Sequence, residues 1–352
     1  MNNSARAAAL AIFVAPALLL AACGTNDTSG NSSTATAKKG QQPDVNGDGK
    51  VVIGVLSNGD THDNGYFQSF VDEANVIARA NGWEMRTIDK INVADGANQA
   101  RNLCRQRVDL IAVGAQELKD ALAAAPEPVC ANTQWYVNGG GGVEQTKWFS
   151  QSVDKVNQTL YTAGYAAGLL MEAKDVTKAG YITGPELDFS IQAAKAFEAG
   201  IKAVVPKAEL LKAYTGDFED SAKAKEAYTA QKAKGVKLVY PYLGGATDAV
   251  TQEANKDGVM TLTPGTDRCQ DTTIKYDISV IFNPGSFFAA ALQDFQKGQL
   301  KMGVTREWII GKDPVPTLKI CKPEGDQQTK VNQLMKDIGD GKFDVDAAVD
   351  GK

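Results

Sequence analysis

Histidine is almost absent from this chain: there is one, His62, in 352 residues. A lone imidazole excludes nearly every metal site or catalytic scheme that needs two, and one ligand does not make a zinc centre. Basic charge is not in excess either. With 37 Lys+Arg against 42 Asp+Glu and a net charge of −5, the chain has no basic surplus of the kind a general nucleic-acid binder presents. No apolar run is long and unbroken enough to span a bilayer. The best one, Ala8 to Leu20, is interrupted by Pro16 and falls short of the roughly 20 residues a spanning helix needs. Catalytic signatures are missing too: there is no GxSxG, no GxxxxGK[ST] and no HExxH, and the Gly139–Gly142 run does not continue into a dinucleotide fingerprint. His62 itself, in a Thr-His-Asp turn, suits a solvated turn residue. These absences point away from an enzyme and leave no call for a cofactor.

What is present begins with an address. Arg6 and the apolar run form a short secretory signal over residues 1–22. It ends in Leu20-Ala21-Ala22-Cys23-Gly24, which resembles the bacterial lipobox; the resemblance implies cleavage and lipidation at Cys23. Arg6 is the one charge in that segment, so the net charge of −5 becomes −6 after its removal. A diacylglyceryl group plus an N-acyl chain gives stable anchoring on the outer face of the cell membrane, since one chain alone does not. Residues 23–49 are rich in Ser, Thr, Asn and Gly and read as a flexible tether, with a reach of roughly 25–30 Å. Within it Asp44-x-Asn46-x-Asp48-Gly49 copies the opening of a calcium loop. The twelfth position, where a bidentate Glu belongs, is Val55, so the segment reads as a turn-rich linker end.

The cysteines support export. Setting Cys23 aside, Cys104, Cys130, Cys269 and Cys321 remain. An even number in an oxidising compartment suggests two disulfides, with three connectivities possible. The pairs 104–130 and 269–321 are favoured, the first from neighbouring parts of one αβ segment and the second from late in the chain; buried free thiols are the alternative. The spacings exclude CxxC redox or zinc motifs.

From Lys50 on, short apolar runs alternate with helical patterns. Val51–Leu56, Met85–Ile88, Leu110–Val113 and Trp135–Val137 read as strands, with helical spacing at Phe67, Phe70, Val71, Ala74, Ile77 and Ala78, at Ala97, Ala100 and Leu103, and over Leu118–Ala125. A second cycle follows Val153, with a helix over 156–171 and strands at 180–183, 209–214, 238–240 and 259–262. The pattern predicts α/β architecture, two doubly wound parallel sheets of similar size. Ligands of such sheets bind beyond the carboxyl ends of the strands. Those ends carry Gly, Asp, Asn and aromatic residues, which suit a neutral polar molecule: carboxylates accept from hydroxyls, aromatics stack on rings, and glycines let backbone N–H groups approach. Asp63, Tyr66 and Asp267 fit these roles. Each has a plain alternative: Asp63 capping the next helix, Tyr66 in the core, Asp267 in a turn.

These residues also carry a family resemblance. Asp63-Asn64-Gly65-Tyr66-Phe67-Gln68-Ser69, Tyr161 to Leu170, Phe197 to Ile201, Tyr214 to Phe218, Gly244-Gly245 and Gly265-Thr266-Asp267 together resemble the basic membrane protein family, the purine nucleoside receptor type of ABC-transporter solute-binding lipoprotein. One departure is that the family's Ser-x-x-Lys reads Ser279-Val280-Ile281-Phe282. That leaves a nucleoside, a base or another ring-bearing metabolite open as ligand. The resemblance implies a two-lobed type I periplasmic-binding fold with a hinge, lobe I over 50–153 plus about 283–302 and lobe II over 154–282 plus about 303–345. It implies a monomer that closes like a clamshell on a nucleoside-like small molecule and delivers it to ABC permease subunits. Asp63 and Asp267 are then expected as hydroxyl acceptors, Tyr66 and Phe189 as stacking partners, Gln116 and Asn138 as polar contacts, with Asn64, Gly244 and Gly245 alongside. A sugar-binding protein of the same fold and a sensing lipoprotein without a transporter are the alternatives.

Overall fold

The computed structural model describes residues 41–63, 65–139 and 142–351. The signal, Cys23 and most of the tether lie outside them, as does Asn64.

The first apolar run, VIGVL, is fully buried as β1 (Val52–Leu56). Its alternate residues enter two cores: Val52 and Leu56 join one cluster, Ile53 and Val55 the other. A strand buried on both faces needs helices on both faces. These are α1 (Tyr66–Asn81) and, after β2 (Glu84–Ile88), α2 (Gly96–Arg105). The sheet continues with β3 (Leu110–Val113), β4 (Gln134–Asn138) and β5 (Ser150–Asp154). Between β3 and β4 the segment expected as a helix winds as a 3-10 run over Gln116–Ala124 with a break at Leu118.

Beyond β5 the chain crosses into a second sheet through α3 (Val156–Ala173), β6 (Lys178–Thr183), α4 (Asp188–Val204), β7 (Glu209–Tyr214), α5 (Ser221–Ala233), β8 (Leu238–Tyr242), α6 (Thr247–Lys256), β9 (Met260–Gly265) and β10 (Ile278–Ile281). It returns through α7 (Pro284–Gln296), which packs on α1, and β11 (Val304–Trp308). It ends with β12 (Thr317–Ile320), α8 (Gln327–Gly339) and α9 (Val345–Asp350). The strand orders are β11-β5-β4-β3-β1-β2 and β12-β10-β9-β8-β6-β7. All described pairings are parallel except β12 against β10.

Two expectations need correction. The resemblance places residues from about 303 on in lobe II, but β11 pairs with β5 in the first sheet, Val304 opposite Ser150 through Trp308 opposite Asp154. The return to the second lobe therefore comes after Trp308. This edge strand is mostly exposed and polar, so it carries no apolar run by which to read it. The tether is also shorter than expected, because its last residues are docked on the first lobe. Gln42 Nε2 donates to the Leu300 carbonyl at 2.8 Å, and Asn46, only 7% exposed, donates through Nδ2 to the Arg107 carbonyl at 2.7 Å and to Asp109 Oδ1 at 3.0 Å. The Asp44 carboxylate accepts from the N–H groups of Asp48 and Gly49. Arg107 Nη2 donates to Asn46 Oδ1 at 3.3 Å. Asn46→Ala should cost about 2 kcal/mol, the order expected for stripping partners from buried polar groups. Urea unfolding is the measurement; an unchanged midpoint would show that this segment does not contribute.

Both favoured cysteine pairs are joined: Cys104 to Cys130 and Cys269 to Cys321.

Candidate functional site

Three segments connect the sheets: Asp154 to Val156, Ile281 to Pro284, and Trp308 to Thr317. Lys155 N–H donates to the Trp308 carbonyl at 3.3 Å, and Phe282 N–H to the Gly265 carbonyl at 3.1 Å, so the crossings are held to strand ends. Beside them, between the carboxyl ends of both sheets, lies a cavity of about 760 Å³.

The first lobe contributes Tyr66, Gln116, Glu117 and Asn138. Tyr66 sits in the first turn of α1, and its hydroxyl donates to the Gly114 carbonyl at 3.3 Å while accepting from Asn138 Nδ2 at 2.7 Å. Asn138, at the end of β4 and 3% exposed, is thereby fixed in orientation. The second lobe contributes Phe189, Phe218, Tyr242 and Gly244. Phe189 and Phe218 stack with ring centroids 6.2 Å apart. Phe282 lines the cavity from the second crossing, 6.0 Å from the Tyr242 ring. These flat faces on opposite lobes suit a ring held between them.

Two carboxylates complete the wall. Glu117 follows the end of β3, and Asp154 ends β5 at the first crossing. Both are partly buried, and among the described residues neither takes part in an ion pair. Burial pushes both acids up, Asp154 to about 6. Their fields converge, because each also raises the Tyr66 and Tyr242 hydroxyls, whose largest upward push is burial itself.

Five expected residues, Tyr66, Gln116, Asn138, Phe189 and Gly244, are thus brought together around the cavity. Three others are not. Asp63 turns its carboxylate to the start of α1, accepting from Gly65 at 2.8 Å, Gln68 at 3.0 Å and Phe67 at 3.3 Å. The capping alternative describes it, not the hydroxyl acceptor. Gly245 donates its N–H to both Glu219 carboxylate oxygens at 3.0 Å. A Cβ on Gly244 would stand 2.1 Å from Glu219 Oε1, so the glycine pair makes room for that acid. Asp267 lies outside the cavity, accepting from Lys319 Nζ at 2.9 Å and from the Cys269 N–H at 3.0 Å. The turn alternative describes it: its oxygens are taken by its own loop and by β12. His62 is an exposed turn residue, its side chain 87% accessible.

The residues missed are Glu117, Asp154, Phe218 and Tyr242 as lining groups, while Phe282, which stands at the family's Lys position, also lines the cavity. The strand-end rule covers Glu117 and Phe218. Asp154 needed β5, whose SQSVD sequence offers no apolar run.

Comparison with known proteins shows the family of this chain. Residues 50–334 match the family described as ABC transporter substrate-binding protein, PnrA-like. A CD4+ T-cell-stimulating antigen of Listeria innocua is 26% identical over 260 residues, covering 72% of this chain and 69% of the relative. The ABC transporter nucleoside-binding protein BmpA of Lactococcus lactis is 26% identical over 248 residues, covering 69% of this chain and 66% of the relative. Among solved structures, an ABC transporter solute-binding protein from Aeropyrum pernix superposes with a TM-score of 0.71 at 17% identity, over 84% of this chain and 92% of that one. One from Conexibacter woesei gives 0.64 at 20%, over 84% and 98%.

Proposed function

The chain belongs to the PnrA-like family of ABC transporter substrate-binding proteins, and from that premise we propose that it captures a nucleoside-like, ring-bearing solute between its lobes and presents the closed form to a permease. The family binds solutes and does not transform them. What carries the reading is the cavity of about 760 Å³ lined from both lobes beside the hinge, with aromatic faces on opposite walls. The nucleoside-binding relative in Lactococcus lactis supports the same class of ligand. Solute contacts on both lobes coexist only when the lobes are closed, so binding shifts the population towards that form. No helix among the described residues is long and apolar enough to cross a membrane. Attachment is through lipid on Cys23, with the protein acting as a monomer at the outer face of the membrane.

A thermal-shift panel of nucleosides, bases and monosaccharides tests the ligand class. Saturation at 100 times Kd adds roughly 2.7 kcal/mol to stability. Shifts with monosaccharides alone would overturn the nucleoside-like reading. Phe189→Ala should weaken binding of whichever ring-bearing solute responds by about tenfold, the order of one lost aromatic stacking contact. Titration calorimetry checks it, and unchanged affinity would remove Phe189 from the site. Cys23→Ala should release the protein from membranes on fractionation; retention would sink the lipid anchor.

A further inference from the structure

We propose that the solute carries a cationic group, a ring-bound ammonium, amidinium or N-alkylated base, drawn to the unpaired Glu117 and Asp154 carboxylates of the cavity wall. This rests on the cavity being the solute site and narrows what fills it.

The charge balance of the wall is the first argument. Its charged lining residues are Glu117, Asp154, Asp188, Asp346 and one cation, Lys155. Lys155 is already engaged with Glu307 at 3.0 Å, and Asp346 accepts from Asn157 Nδ2 at 2.8 Å. That leaves Glu117, Asp154 and the exposed Asp188 with no ion pair among the described residues, and of these Glu117 and Asp154 are partly buried. Burial already raises the Glu117 and Asp154 carboxyls, and closure around a neutral molecule would strip water further from both charges, which is costly in a low-dielectric site. A cation beside them offsets that charge as it supplies donors.

The hydrogen-bonding capacity points the same way. The unpaired Glu117 and Asp154 carboxylates line the cavity as acceptors, and an ammonium or amidinium brings several donors and no acceptor. The remaining walls fit as well. Tyr66, Phe189, Phe218, Tyr242 and Phe282 present aromatic rings, whose faces attract cations when water is excluded.

Matched pairs that differ in charge and little in shape provide the test: adenosine against 1-methyladenosine, and nicotinamide against 1-methylnicotinamide. Each is titrated calorimetrically at pH 7.5 into the full chain. The cationic member of a pair should bind at least tenfold more tightly than its neutral partner. In the Glu117→Gln, Asp154→Asn double variant that preference should fall below threefold. Each single variant is run beside it, with thermal unfolding of the unliganded protein recorded to show that the variants are folded. Equal or tighter binding of the neutral members, or a preference that survives the double substitution, overturns the cationic solute and leaves the nucleoside-like receptor standing. Response to monosaccharides alone, or to none of these ring-bearing probes, overturns both.

Discussion

Gly200→Val is expected to destabilise the protein by about 4 kcal/mol or more, enough to leave the second lobe unfolded near physiological temperature. The reason is the crossing of α3 and α4, whose backbones approach closely at Gly164 and Gly200. A Cβ on Gly200 would stand 2.0 Å from the Tyr161 carbonyl oxygen and 2.7 Å from the Tyr165 nitrogen. The reciprocal position is equally tight: a Cβ on Gly164 would meet the Phe197 carbonyl oxygen at 2.1 Å. These are backbone atoms of the opposing helix, so no rotamer change relieves the clash, and the helices must separate. Separation opens the core in which Phe197, Ala163, Ala166 and Tyr181 are all fully buried. Side-chain overpacking costs typically 1–3 kcal/mol, and a forced shift of two backbones goes past that range. The helix-propensity gain from losing a glycine, below ~1 kcal/mol for a β-branched replacement, offsets little. Urea or thermal unfolding measures the effect. A variant within 1 kcal/mol of the parent would show that the helices can move apart freely, and the close-packed account of this lobe would fail.

How far the sequence speaks depends on whether burial is won by apolar side chains or by polar satisfaction. β1, β3, β6 and β8 bury apolar runs between helix layers, and each is legible. β5 is buried by other means. Gln151 is 3% exposed, its Nε2 donates to the Gly139 carbonyl at 2.9 Å, and its Oε1 accepts from Thr305 Oγ1 of β11 at 2.9 Å. Partners supplied from 12 and 154 residues away are invisible in SQSVD, so both β5 and the strand it pairs with escape a reading by hydrophobicity. The site follows the same division. Tyr66 and Asn138 stand at ends of readable elements and fall on the cavity. Asp63 and Asp267 also stand at such ends, yet their oxygens are claimed locally, Asp63 by the α1 N–H groups and Asp267 by Lys319 and Cys269. A loop aspartate has helix N–H groups and turns as competing partners, and sequence alone does not show which one holds it.

Asp154→Asn should stabilise the unliganded protein by on the order of 3 kcal/mol at pH 7.5 while leaving it unchanged at pH 3.5. Asp154 makes no ion pair among the described residues, and burial raises its carboxyl from an ordinary 3.8 to about 6. A raised carboxyl favours the protonated form in the folded state. Its contribution to stability is therefore fully present below pH 3.8, is lost progressively as pH rises towards 6, and is absent above. The interval between those values corresponds to ~3 kcal/mol. Asparagine keeps the shape without the charge, so the difference between variant and parent should open across that window and then stay level. Asp109 is also pushed up to about 6, by burial beneath the docked Asn46 segment, but it titrates in both proteins and cancels in the difference. Unfolding free energies from urea titrations at pH 3.5, 5 and 7.5 measure the effect. A variant no more stable than the parent at pH 7.5 would mean that Asp154 is well solvated in the open cleft. The same substitution removes a carboxylate from the cavity, so a protein that gains stability without solute should bind a cationic solute more weakly. Stability gained in the empty form and affinity lost in the filled one would mark Asp154 as a group retained for capture at the expense of the fold.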